Sequence, residues 1–382
     1  MSEQSKAAAT PLPPPARSPT VAGPAARRPL FHELTVAAVE PLTDDAVAVA
    51  LEVPPGLRDT FAFRPGQHLT LRPPGATDRR SYSICSTPDE LAGQGRLRIG
   101  VRQIPGGALS GYLVGASRPG DIVAVLPPLG SFTTQLDPAR TRHYAAVAAG
   151  SGITPVLSIV ATALCTEPAS RFTVLYGNRY TRSVMFADEL ADLKDRYRHR
   201  LHLVHALSRE PGGSTLLSGR LDPTRLESIL GVLLNPSTVD EWFLCGPYAM
   251  VDGARDVLAR LARPDAAIHT ELFYVEDTPP ERAAVTPEVG AAWLTVRFDG
   301  REARVAMRPG ERVLDAALRV WPELPYSCTG GVCATCRARL VGGQVRLQRN
   351  FALEPGEVAA GFVLTCQSIP LTDELVVDYD IA

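Results

Sequence analysis

Along the first third of the chain, apolar residues alternate with small or polar ones. Val47, Val49, Leu51 and Val53 form one such run and Leu97, Ile99 and Val101 another. Turn-forming clusters separate the runs at Pro54-Pro55-Gly56, Arg72-Pro73-Pro74-Gly75 and Pro119-Gly120-Asp121. Alternation puts every second side chain on one face of a strand, so residues 30–138 are expected to form a small antiparallel β-barrel. At His143 the rhythm changes. An unbroken apolar run, Tyr144 to Ala149, leads into Gly150-Ser151-Gly152-Ile153-Thr154-Pro155 and then a helical pattern to Cys165. Similar runs recur at 172–176, 201–205 and 241–245 with helix-length segments between them, which predicts a parallel α/β sheet over 139–273. Residues 143–166 hold no Arg, Lys, Asp or Glu, but two glycines and a proline at the centre make strand, loop and helix the better reading than a membrane span. Further on, Leu294-Val296-Phe298 and Ala303-Val305-Met307 flank Asp299-Gly300, a hairpin signal, and Glu311 to Val320 reads as a short amphipathic helix. Residues 1–29, rich in Ala, Pro and Ser, cannot bury enough apolar surface to order themselves and are expected to be a disordered tail; 274–291 is a linker stiffened by proline.

A length of 382 residues fits this division into three domains, with the third at 292–382. Lys+Arg 39 against Asp+Glu 41 gives a net charge of −2, without the basic excess of a nucleic-acid binder. No basic segment followed by an apolar run opens the chain, so no membrane partner and a reducing, cytoplasmic setting are expected. Cysteine is the informative residue type. Cys85, Cys165 and Cys245 are dispersed, and the first two read as structural; the other four all lie after residue 327, which suggests a metal centre rather than a disulfide framework.

Cys328, Cys333, Cys336 and Cys366 have the spacing C-x4-C-x2-C-x29-C. Four thiolates can hold two irons bridged by two sulfides, and small residues between them let backbone N–H groups turn toward the sulfurs. The spacing resembles that of plant-type ferredoxins, which implies an α+β β-grasp domain with a 2Fe-2S cluster. A structural zinc site is the rival, but it usually shows two paired knuckles, and here the fourth Cys stands alone.

Such a domain moves single electrons, so the electrons must come from the rest of the chain. Arg80-Ser81-Tyr82-Ser83 and, downstream, Gly107-Ala108-Leu109-Ser110 resemble the R-x-Y-S and G-x-x-S motifs of the ferredoxin-NADP reductase superfamily. The resemblance implies FAD in the barrel, with Arg80 on its pyrophosphate, Tyr82 stacked on the ring system, Ser83 at its N5 edge, and Gly107 and Ser110 at a helix N-terminus that suits an anion. Gly150, Gly152, Thr154 and Pro155 match the same superfamily's G-x-G-I-T-P loop, where glycines admit a dinucleotide pyrophosphate. Cys245-Gly246-Pro247 matches its C-G-P, with the Cys beside the nicotinamide, and Glu271 and Phe273 match a Glu-x-Phe near the active site. Arg179, Arg182 and Ser183 follow the second strand with no acid before Asp188; Arg and Ser suit a 2′-phosphate, so NADPH is expected over NADH.

Domain order and local sequence narrow the resemblance. Cys328 through Cys336, Asn350 through Glu357, Ala359 through Gln367 and Tyr176 through Phe186 are similar to the reductase subunits of phenylacetyl-CoA epoxidase complexes, from about Leu30 to the C-terminus. The tail and the bulky Tyr180 depart from that pattern. The resemblance implies electron flow from NADPH through FAD and the cluster to a di-iron oxygenase partner. Reductases of ketosteroid 9α-hydroxylases share the order and are the alternative; an iron–sulfur redox sensor is a more distant one. Ten Arg against eleven Asp+Glu in 292–382 imply docking by shape and apolar contact rather than long-range steering.

Overall fold

A computed structural model describes residues 30–73, 79–210, 214–273 and 292–381. The expected tail at 1–29 and linker at 274–291 lie outside the described residues. Those described fall into two compact units, 30–273 and 292–381.

The first unit opens with six antiparallel strands: β1 (His32–Thr43), β2 (Ala46–Glu52), β3 (His68–Arg72), β4 (Arg80–Ser83), β5 (Arg96–Arg102) and β6 (Ile122–Leu129). They run in the order β4-β3-β6-β1-β2-β5. An Ile84–Ile99 bridge and the Cys85 N–H on Arg98 O, 2.8 Å, join the two edges into the expected barrel. Val47, Val49, Leu51, Leu97, Ile99 and Val101 fill it, each contributing about 1.5–3 kcal/mol by burial. Two helices, α1 (Pro88–Gln94) and α2 (Ala108–Gly115), lie on this barrel's chain.

Five parallel strands follow with their helices: β7 (His143–Ala149), α3 (Ile153–Thr166), β8 (Arg171–Asn178), α4 (Ala187–Arg196), β9 (Leu201–Leu207), α5 (Pro223–Leu233), β10 (Glu241–Gly246), α6 (Tyr248–Leu261) and β11 (Ala267–Leu272). Their order is β11-β10-β7-β8-β9, so the direction of winding reverses between β7 and β10. The outer face of the barrel is built to meet this sheet's layer. Ala46 and Ala48 of β2 join the core around α3, and a Cβ on Gly100 of β5 would lie 2.4 Å from Thr154 Cγ2. On either side of Gly100, Arg98 donates to Glu189 of α4 at 2.6 and 3.2 Å, and Arg102 donates to Ser183 O at 2.8 Å. Cys85 is buried as expected. Cys165 is exposed, because it sits near the C-terminal end of α3 where that helix leaves the core, so it carries no packing role.

In the second unit, β12 (Trp293–Phe298) and β13 (Arg301–Ala306) form the expected hairpin, with Asp299 at φ 59° and Gly300 at φ 66° in its two-residue turn. The helix expected over Glu311–Val320 is shorter, α7 (Val313–Ala317), because its last turn tightens onto i−3 carbonyls ahead of Pro322. There follow β14 (Arg337–Gly342), β15 (Val345–Leu347), α8 (Pro355–Ala359), β16 (Phe362–Leu364), β17 (Ser368–Pro370) and β18 (Glu374–Asp378). A mixed sheet β13-β12-β18-β14-β16 and a β15-β17 ribbon complete an α+β unit of β-grasp form. No helix among the described residues is long and apolar enough to cross a membrane.

Candidate functional site

In β4, alternation sends Arg80 and Tyr82 to one face and Ser81 and Ser83 to the other. Arg80 is exposed; Tyr82 is half-buried against the barrel core, and desolvation holds its phenol protonated far above neutral pH. Ser83 is buried and donates to Glu271 Oε2 at 3.1 Å, bringing barrel and α/β layers together at one point. His68, opposite Ser83 in the strand register, places Nδ1 3.8 Å from Glu271 Oε1. No motif singles His68 out, although it stands next to Gln67 in the turn before β3. Gly107 caps α2 without a side-chain bond, leaving the helix's first N–H groups open to a ligand. Ser110 works on the loop itself: its hydroxyl accepts from Ile104 N at 3.1 Å and donates to Gly107 O at 3.3 Å.

The winding reversal between β7 and β10 opens a crevice at their carboxyl ends, which is where ligands bind in such sheets. Gly150-Ser151-Gly152 leaves β7 there, and Cys245-Gly246-Pro247 leaves β10 beside it. The two motifs touch. A Cβ on Gly152 would lie 2.2 Å from the Cys245 carbonyl oxygen, and Gly150 adopts φ 55°. Thr154 and Pro155 are buried, with the Thr154 hydroxyl donating to Ser151 O at 2.9 Å. Cys245 is wholly buried and paired in register with Glu271; burial first, then the Glu271 charge, pushes its thiol well above the ordinary range. Phe273 packs half-buried against the same core.

The third cluster of expected residues, at the end of β8, is a turn held by its own side chains. The Ser183 hydroxyl donates to Tyr180 O at 2.7 Å and accepts from Tyr180 N at 3.1 Å. Arg179 and Arg182 are exposed, and the Arg182 guanidinium stands 5.1 Å over the Tyr180 ring. An acid that linear order hid also reaches this turn. Glu210, beyond β9, accepts from Thr181 N at 2.7 Å and Thr181 Oγ1 at 3.0 Å. The Thr181 amide, its hydroxyl and then Arg182 hold its carboxyl below the usual range. Exposed Arg209, whose N–H bonds Arg179 O at 2.9 Å, adds a third cation.

In the second unit the cysteine loop carries Thr329, Gly331 and Ala334 at φ 50°, 81° and 52°, left-handed turns that point successive amides inward. Gly330 N and Val332 N donate to Cys328 Sγ at 3.4 and 3.5 Å, and Cys328 N donates to Cys333 Sγ at 3.5 Å. Gln367 Nε2 lies 3.6 Å from Cys366 Sγ while bonding Thr329 O at 2.8 Å. Cys328 is drawn below the usual thiol range by the Cys333 thiol and then by the loop amides, while Cys333 is pushed above it by Cys328 and by burial. Among the described residues no three such side chains converge as they would on a single ion. The cysteines stand two by two, Cys328 with Cys333 and Cys336 with Cys366. Two thiolates per iron is the donor set of a two-iron cluster, so the loop fits 2Fe-2S better than mononuclear zinc.

Comparison with known proteins gives the same three parts. Profiles described as an oxidoreductase FAD-binding domain, an oxidoreductase NAD-binding domain and a 2Fe-2S iron-sulfur cluster binding domain match residues 33–134, 146–256 and 296–371. The chain is 46% identical over 355 residues to a 1,2-phenylacetyl-CoA epoxidase subunit, from Escherichia coli, covering 92% of this chain and 98% of that one. The chain belongs to the oxygenase reductase family. The reductase is also 33% identical to the ferredoxin reductase component of 3-ketosteroid-9-alpha-monooxygenase from Rhodococcus rhodochrous, over 91% of this chain and 96% of that one. Its fold is that of phthalate dioxygenase reductase, with a TM-score of 0.55 at 24% identity and coverage of 91% and 98%. It is a flavin and iron–sulfur oxidoreductase, the component that carries electrons from NAD(P)H through FAD and a 2Fe-2S cluster to a multicomponent oxygenase.

Proposed function

We propose that this reductase serves the di-iron oxygenase of a phenylacetyl-CoA epoxidase complex in the cytoplasm and draws on NADPH. Identity of 46% along nearly the whole of both chains, against 33% for the ketosteroid relative, carries the choice of partner. FAD, when bound, accepts two electrons together as hydride and gives them up singly, and the cluster carries them one at a time.

The chain's own residues bind and orient. Arg80 and the open amides after Gly107, with Ser110 fixing their loop, hold the flavin's pyrophosphate; Tyr82 covers its ring. Ser83, oriented by Glu271, marks the flavin's reacting edge, and Cys245 with Gly246 and Pro247 closes the nicotinamide's side of it, Phe273 packing behind. Gly150 and Gly152 admit the coenzyme, while Thr154, against Gly100 of the barrel, and Pro155 form the buried first turn of α3 behind their loop. Arg179, Arg182 and Ser183 receive the adenosine 2′-phosphate. Three arginines against Glu210 leave that turn net positive, which favours the phosphate.

The test is reconstitution. The purified protein with NADPH and the di-iron component should form the ring epoxide of phenylacetyl-CoA, and Cys333→Ser should abolish this while leaving NADPH-driven flavin bleaching intact. Turnover with a ketosteroid oxygenase instead would overturn the partner; loss of flavin bleaching in a folded Cys333→Ser protein would overturn the modular scheme.

A further inference from the structure

The cysteine motif ends at Cys366, yet the chain runs on through β18 to Asp378-Tyr379-Asp380. Asp380 hooks this segment to the β12–β13 hairpin: its carboxylate accepts from Asp299 N at 2.7 Å and Gly300 N at 2.8 Å. Tyr379 N donates to Arg297 O at 3.0 Å, and the Tyr379 ring stands edge-on to Phe298 with centroids 6.2 Å apart. Held by backbone and ring, the phenol is aimed at the cysteines. Its hydroxyl donates to Thr365 Oγ1 at 2.8 Å, and the Thr365 hydroxyl donates to Cys336 O at 2.9 Å. Thr365 N reaches the same carbonyl at 3.3 Å. Since Thr365 directly precedes Cys366, this one residue ties the backbone of Cys336 to that of Cys366. The direction of the chain is fixed as well. Thr365 Oγ1 accepts the phenol's proton and gives its own to Cys336 O, so both O–H dipoles turn their hydrogen ends toward the cysteine pair. Thr365, Cys336 and Cys366 are all buried, and in such surroundings each bond polarises the next. Reduction adds a negative charge to a centre that already holds four thiolates, and hydrogen ends aimed that way favour it.

We propose that Tyr379 is a positioning residue for the cluster: acting through Thr365, it holds the Cys336–Cys366 pair and raises the potential at which the centre accepts an electron. This rests on reading Cys336 and Cys366 as cluster ligands. Tyr379 lies outside the cysteine motif and acts at second hand, so its effect is confined to the cluster and leaves the flavin as it was. The segment after β18 thereby does more than close the sheet, since it sets how readily the last carrier in the chain is filled.

The experiment is a mediated redox titration of the holo-reductase, following the cluster by EPR and the flavin by absorbance, on wild type, Tyr379→Phe, Thr365→Val, Thr365→Ser and the double variant of the first two. Loss of a buried hydrogen bond predicts that Thr365→Val lowers the cluster's reduction equilibrium constant about 10-fold, or about 59 mV for one electron, and that Tyr379→Phe lowers it about 3-fold. Thr365→Ser, which keeps the hydroxyl, should retain the wild-type value, and the flavin's potential should not move in any variant. If the phenol acts through Thr365, the double variant falls no further than Thr365→Val alone. An unchanged cluster potential in Tyr379→Phe, whatever its melting temperature, would make the chain a mere strut and overturn the proposal. Additive shifts in the double variant would overturn the route through Thr365. Should Thr365→Val lose its cluster, Tyr379→Phe, which keeps the ring against Phe298, and Thr365→Ser decide the matter by the same outcomes. Cys366→Ser checks the ligand reading separately: an unaltered EPR spectrum there sinks that reading, whereas an altered one with a silent Tyr379→Phe sinks Tyr379 alone.

Discussion

Replacing Gly152 by Ala tests whether the convergence of the two coenzyme motifs has consequences. The added Cβ would stand 2.2 Å from the Cys245 carbonyl oxygen, 2.6 Å from its carbon and 3.0 Å from Gly246 N. All three are backbone atoms in a buried strand end, so no side chain can swing aside. Real Cβ atoms essentially never come within 3.0 Å of a neighbour, so loop and strand end must part by about 0.8 Å. Forced overpacking of this kind costs about 1–3 kcal/mol of stability, which a protein of this size survives. Function is more sensitive, since a misplacement of about 1 Å between reacting groups costs on the order of 100-fold. Stopped-flow flavin bleaching should therefore show kcat/KM for NADPH falling about 100-fold in Gly152→Ala, with FAD content unchanged because the barrel is untouched. Gly56→Ala is the matched control: the same methyl enters a site with nothing within 4 Å and should alter neither quantity. Wild-type hydride transfer in a folded Gly152→Ala protein would refute the argument that these two motifs form one coenzyme site.

Two further outcomes follow from the same geometry. Arg179→Ala and Arg182→Ala should raise the KM for NADPH by about 10-fold or more and that for NADH little, and Glu210→Gln should shift the ratio the other way; steady-state assays with both coenzymes check this, and equal effects would sink the 2′-phosphate assignment. His143, buried at the start of β7 between Thr173 and Thr238, is pushed down to about 4 by desolvation and then by Arg171. Its ordinary value is 6.5, so the unfolded chain takes the proton first and stability falls as pH drops from about 6.5 to 4, by up to about 3 kcal/mol. His143→Gln should flatten that acid limb in urea titrations; parallel pH slopes for variant and wild type would show that His143 does not titrate as argued.

What the sequence made legible was whatever one strand or one loop decides alone. Val47-Val49-Leu51 announces an inward face by its period, and C-x4-C-x2-C announces a cluster by its spacing, because both are local. Hidden was everything that depends on two elements meeting. Ala46, Ala48 and Gly100 look like weak barrel positions until the α/β layer is packed against them, when their smallness becomes the condition for its approach. Cys165 shows the converse, a cysteine in an apolar run that packing leaves outside. Glu210 follows the next strand in the chain and so is invisible among the residues after β8, yet parallel pairing of β8 with β9 brings their ends together. Arg102 and His68 belong to the same class, polar residues of barrel strands whose partners, Gly150 and Glu271, lie 48 and 203 positions further along the chain. Site chemistry in this reductase thus concentrates at the joint between its barrel and its parallel sheet. Motif reading finds each side of such a joint but not the residues that reach across it.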